Sequence, residues 1–264
     1  MPRNTMALNF PQQPDVRLEN SPLVEVVCQV RFPIILRITS EDPTEFQEHI
    51  RAEFPFLELE HGFVIRAPGP GVQTPPVAEP QSRSYRFRTA DEQTTISLAA
   101  DFYALSTTRY TDWDGFAHYL KLLSETAERV YKPTYATRIG LRYINRLTRG
   151  NTGCQSLAEI QEILRPELTS YSRSDSWAEV DEMRSRLVLK DNGAKLTVAT
   201  AAGEENDEPF FVLDLDYFEE GRLNLDNIAQ RCARYNHAIY RAFRWCIRDE
   251  KIEVFKPKAK ELSK

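Results

Sequence analysis

A chain of 264 residues, 41% hydrophobic and 11% aromatic, carries enough apolar material for a full core, in one large domain or two smaller lobes. A charged fraction of 28% argues against disorder throughout, and a formal net charge of −5 argues against a generic polyanion binder without excluding a local basic patch. No stretch of 18 apolar residues occurs, so neither a transmembrane helix nor a membrane partner is expected.

The start, MPRNTMALNFPQQPDVRLENS, is polar and lacks the apolar core of a secretory signal, so residues 1–19 read as an N-terminal tail. Leu23–Ile38, LVEVVCQVRFPIILRI, reads as a long strand with a bend, bulge or edge at Pro33. Asp42–Phe54 predicts a short helix. Ala67–Gln81 holds five prolines and reads as a loop. Strands are expected at Tyr85–Thr89, Thr94–Ala100 and about Tyr103–Tyr110. A helix is expected from about Asp112 to Val130, with Phe116, Tyr119, Leu120 and Leu123 on one face.

The pattern then begins again. Thr137–Leu147, TRIGLRYINRL, reads as a strand. Ser156–Leu164 predicts a short helix, with Ser156 at its cap and Glu159 three residues on. Strands follow at Arg184–Lys190, Lys195–Ala201 and Phe210–Phe218, the first two joined by the hairpin signal Asp191-Asn192-Gly193. A long helix runs from Asp226 to about Arg248. The expected fold is therefore α+β. It has two pseudo-repeated strand, helix, three-strand, helix lobes, at 20–133 and 134–255, then a tail at 256–264. The sheets would be mainly antiparallel, with helices on one face. The alternative is one α+β domain whose similar element order is chance.

Two arginine patterns stand out. Strand alternation puts Arg138, Arg142 and Arg146 on one face of TRIGLRYINRL, about 13 Å apart per pair. Ile139, Leu141, Tyr143, Asn145 and Leu147 share the other face, which reads as core. In the last helix Ile228, Cys232, Tyr235, Ile239, Phe243 and Cys246 form a stripe to be buried. Arg234, His237, Arg241, Arg244 and Arg248 form a second stripe on the far side, which is the candidate partner-binding surface. For the strand arginines the leading internal partners are Asp214 and Asp216, which share a strand face. The competing reading has an arginine-lined surface for phosphates or acidic groups.

Asp214 and Asp216 could instead hold a divalent metal for nucleic-acid processing, since hard cations take carboxylate oxygens. No third acid stands at a telling spacing. The four histidines are scattered singly, and the four cysteines form no CxxC pair. Reduced thiols in a cytoplasmic protein are the simplest reading. No nucleophile signature, P-loop or GxGxxG occurs, so no catalytic residue, metal or cofactor is assigned and an enzyme is not the leading expectation.

The set NSPLVEVVCQVRF (20–32), TRIGLRYINRL (137–147), LDLDYF (213–218) and NHAIYRAF (236–243) resembles a sporadically distributed family of uncharacterised prokaryotic proteins of about this length. The resemblance spans nearly the whole chain and brings no catalytic residues with it. It implies genes that travel on mobile elements, in which defence or toxin-related islands are a common setting. The function expected is a non-enzymatic binding protein whose partner is an unknown protein or a nucleic acid. A nucleic-acid-binding or metal-dependent processing protein is the alternative, and a homodimer stays open.

Overall fold

The structure is a computed structural model, and it describes residues 8–12, 14, 16–60, 63–66, 77–80, 83–172 and 180–259. In chain order the elements are β1 (Val16–Leu18), β2 (Leu23–Arg31), α1 (Arg37–Ser40), α2 (Thr44–Ile50), β3 (Phe56–Glu60), β4 (Phe63–Arg66), β5 (Val77–Pro80) and β6 (Ser84–Arg88). They continue with β7 (Thr94–Ala99), β8 (Phe102–Thr107), α3 (Trp113–Tyr131), β9 (Ala136–Thr148), α4 (Arg149–Thr152) and α5 (Leu157–Ile163). The last are β10 (Glu182–Asp191), β11 (Ala194–Glu205), β12 (Glu208–Leu223), α6 (Ile228–Cys246) and β13 (Pro257–Ala259). The fold is mixed, with mainly antiparallel sheets and helices.

Two compact units divide the chain. The first draws on residues 1–26, 140–219 and 230–264, the second on 27–139 and 220–229.

In the second unit the strands run in the order β2-β8-β7-β6-β3. The β6-β7-β8 meander is antiparallel, with Tyr85 opposite Leu98 and Leu98 opposite Tyr103. Tyr85, Phe87, Ile96, Leu98 and Leu105 are buried with Phe46 and Ile50 of α2 and Leu120 and Leu123 of α3. Asp112 caps α3, its carboxylate accepting from the Gly115 amide at 2.8 Å. Such a cap satisfies one of the amides that a helix start leaves open. Lys132 in the left-handed region ends α3, and Pro133 follows it.

The first expected strand stops at Arg31 rather than reaching Ile38. Pro33 has no amide to continue a ladder, so the chain breaks away after Phe32, whose amide donates to the Asp101 carbonyl at 2.9 Å. Ile35 donates to the Ala100 carbonyl at 2.8 Å, and Arg37–Ser40 then turns into α1. Part of the expected proline-rich loop is also strand. Val77–Pro80 pairs with Phe63–Arg66, while positions 67–76 and 81 lie outside the described residues.

In the first unit the order is β10-β11-β12-β9. β10, β11 and β12 form an antiparallel meander, with Leu196 opposite Tyr217 and Ala199 opposite Asp214. The β10-β11 turn places Asn192 at φ 44° and Gly193 at φ 91°, the left-handed pair that a tight hairpin demands. Leu141, Tyr143, Asn145 and Leu147 of β9 are buried with Leu196, Phe211, Leu213 and Leu215. α6 lies over this face, because the Tyr143 hydroxyl donates to the Asn236 side chain at 2.7 Å. β1 pairs with β13, putting Val16 opposite Ala259.

Candidate functional site on the α6 face

β9 shows what the sheet does with arginine. Arg142 stands opposite the core face, beside β12. Its Nε and Nη2 donate to the two oxygens of Asp214 at 2.7 and 2.6 Å. The fork is bidentate, and Arg142 is 47% exposed against 18% for Asp214. The hydrogen bonds to Asp214 raise the Arg142 guanidinium above its ordinary pKa, and the nearby charge of Asp216 adds to the effect. With both oxygens held by Arg142, Asp214 is not an open metal ligand. Arg146 does not reach Asp214 or Asp216. It pairs with Glu205 and lies over the Phe210 ring, 4.7 Å from its centroid. Arg138 is half-buried on the same strand. Among the described residues, no group of three or more His, Cys, Asp or Glu is placed to hold a metal ion.

The α6 stripe does not stay together on the surface. Arg234, His237 and Arg241 are exposed, at spacings of three and four residues that stack them on one side of the helix. With Ala238 of α6, Tyr217 of β12 and Asp191 at the end of β10, they line an open hollow of about 470 Å³. Among the described residues none of the Arg234, His237 and Arg241 side chains makes a hydrogen bond or an ion pair. The Tyr217 hydroxyl donates to Asp191 at 2.8 Å. Burial, and secondarily that bond, push the Tyr217 phenol above the ordinary tyrosine range.

The other two members of the expected surface are corrected. Arg248 lies beyond the helix end, which is at Cys246, and pairs with Glu250 at 2.6 Å. Arg244 is only 6% exposed, because it belongs to the last turn, where α6 sinks into its unit. Among the described residues its guanidinium has no ion pair, and its Nε is buried without a hydrogen-bond partner. An isolated buried charge is expensive, so such a group stands out.

Three participants escape a sequence reading. Asp191 reads as the first residue of a turn, yet it closes the hollow from the β10 end. Tyr217 reads as one aromatic among many. Arg231 precedes the stripe and is spent internally, bound to Glu219 at 3.0 Å with both side chains largely covered. Only the dipeptide DN before Gly193 hinted at a placed carboxylate. No family model matches this chain, and no curated protein matches it.

Proposed function

We propose that the protein is a non-enzymatic binding protein whose α6 face receives acidic groups of a partner through Arg234, His237 and Arg241. One observation carries this reading. Arg234, His237 and Arg241 line one hollow and make no hydrogen bond or ion pair among the described residues. Arg142, Arg146, Arg231 and Arg248, in contrast, are all met by carboxylates of the chain itself. An arginine fork suits carboxylate or phosphate, and a cation that the fold leaves open is available to an outside anion.

An acidic polypeptide fits better than a nucleic acid. The chain carries a net charge of −5. Bases need an aromatic platform, and the hollow's aromatic side chain, Tyr217, is buried and tied to Asp191. Tyr143, the strand aromatic beside Arg142, is buried too.

The reading extends to an internal repeat with helices on one face of each sheet, as in the resembled prokaryotic family, and to a cytoplasmic setting. The repeat is supported by strand order. β2-β8-β7-β6 in one unit and β9-β12-β11-β10 in the other each place the opening strand beside the last strand of the meander. The test of function is a titration of a fluorescein-labelled hexaglutamate peptide into the full chain at 50 and 300 mM salt. Binding that weakens with salt supports the reading, and no binding at either salt overturns it. An absorbance ratio showing co-purified nucleic acid, with salt-sensitive RNA binding in place of peptide binding, favours the alternative partner.

A further inference from the structure

β10 is the last strand of its sheet. Among the described residues it pairs with β11 alone, so its far side carries a row of backbone groups that no described strand meets. The hairpin register identifies them. The tight turn at Asn192 and Gly193 makes Asp191 and Ala194 a hydrogen-bonded pair, and such pairs alternate along an antiparallel ladder. Leu187, Leu189 and Asp191 therefore turn their amides and carbonyls to β11, while Arg184, Arg186, Val188 and Lys190 turn theirs outward.

The side chains of Arg184, Arg186, Val188 and Lys190 share the sheet face away from the core and are exposed. Arg184 pairs with Glu182 of its own strand. Arg186 and Lys190 make no hydrogen bond or ion pair among the described residues. Leu187, on the core face, is 52% exposed and Val188, on the other, 39%, so the edge offers apolar surface on both sides.

An open edge is a template for another strand, and its charges decide which. A second copy of β10 meets like charge in the antiparallel registers that overlap most of the strand and keep outward residues opposite outward residues. With the two-fold at residue 185, Arg184 faces Arg186. At 186, Arg186 faces itself. At 187 Arg184 faces Lys190, and at 188 Arg186 does. A nucleic acid has no amide ladder with which to complete the row. We propose that the β10 edge takes an extended acidic segment of a partner polypeptide as an added antiparallel strand, with carboxylates opposite Arg184, Arg186 and Lys190 and apolar side chains beside Leu187 and Val188. The partner class is that of the α6 reading, but the edge is argued from its own residues and meets the α6 hollow at Asp191.

The experiment titrates a fluorescein-labelled heptapeptide, EVTVETE, into the full chain. Arg186→Glu with Lys190→Glu should weaken its binding about 10-fold or more, as attraction becomes repulsion. Val188→Pro should abolish binding and keep the fold, because the amide it removes faces away from β11. N-methylation at the peptide's third and fifth residues, whose amides face β10 in the added strand, should abolish binding, while methylation at the second and fourth should not. Binding indifferent to which amides are methylated, or to the charge reversal, overturns strand addition, and neither result needs Val188→Pro to fold. Heptapeptide binding lost on Arg234→Glu with Arg241→Glu but kept through the β10 changes overturns the edge and spares the α6 reading. So does hexaglutamate binding with the heptapeptide ignored. Heptapeptide binding with hexaglutamate ignored supports the edge and overturns the α6 reading. A dimer in analytical ultracentrifugation that Val188→Pro dissolves overturns the acidic segment as occupant.

Discussion

The arginines of β9 and of α6 share a residue type and a near-regular spacing, and they end in opposite states. On β9, Arg142 and Arg146 are met by Asp214 and Glu205, carboxylates from β12 and β11. On α6, Arg234 and Arg241 are exposed and make no ion pair among the described residues, although Asp191 lines the same hollow, and Arg244 is buried without one. The difference lies in what each element has for neighbours. A strand side chain has partners about 5 Å away on the next strand, so a sheet can neutralise it locally. The outer sector of a helix has mainly its own residues three and four positions away, and here none of those beside Arg234 or Arg241 is acidic. A stripe of arginine thus carries functional meaning only where the fold declines to pair it.

The largest effect should come from removing the unpaired cations. Arg234→Glu with Arg241→Glu should cut acidic-peptide affinity about 30-fold or more, since two attractive contacts become repulsive. Tm should stay within about 2 °C, as for surface changes away from structural pairs. Melting of the double variant would place these side chains on the structural side of the comparison and erase it. The reverse behaviour is expected on β9. Asp214→Asn should leave peptide binding alone and cost about 1 kcal/mol of stability, with half-exposed Arg142 keeping the figure low. A cycle with Arg142→Met, read by urea denaturation, should show a coupling of similar size, and no coupling would mean that the fork contributes nothing. Arg146→Ala should cost less still, about 0.5 kcal/mol, because its partner Glu205 is more exposed than Asp214.

Much of the architecture was legible in local chemistry. The alternation in TRIGLRYINRL put Leu141, Tyr143 and Asn145 inside, and Asn-Gly at 192–193 marked a hairpin. What failed had a physical cause each time. Pro33 ended β2 early because a missing amide matters more than a run of apolar residues. Val77–Pro80 joined a strand although four prolines of the run precede it, because a proline restricts itself and the residue before it rather than those that follow, and Pro80 only ends the strand. The fate of the arginines was legible only in part: Asp214 was an expected partner of the strand arginines and holds Arg142, while the pairing of Arg146 with Glu205 and the burial of Arg244 had no local signal. Pairing depends on which strand lies beside β9, and the burial of Arg244 depends on what packs against the last turn of α6. No periodicity in α6 encodes either fact.

The smallest expected effect concerns Asp191, which accepts from the hollow's tyrosine and from the Leu8 amide. Burial first, and the bond to Asp191 second, raise the Tyr217 phenol above the ordinary tyrosine range. A phenol raised in the folded state is held neutral there. Its contribution to stability is complete below the unfolded value near pH 10 and is lost as pH climbs above it. Wild type should therefore lose stability above pH 10 more steeply than Tyr217→Phe. The 295 nm difference between the two should report a late-titrating group. Asp191→Ala removes the lesser cause, so that titration should move only part of the way back. The same change removes a carboxylate from the lining of the hollow, so binding of an acidic peptide should tighten modestly as repulsion falls. An Asp191→Ala protein whose Tyr217 titration shifts while its peptide affinity holds still would separate the two roles of this carboxylate and confine it to the tyrosine.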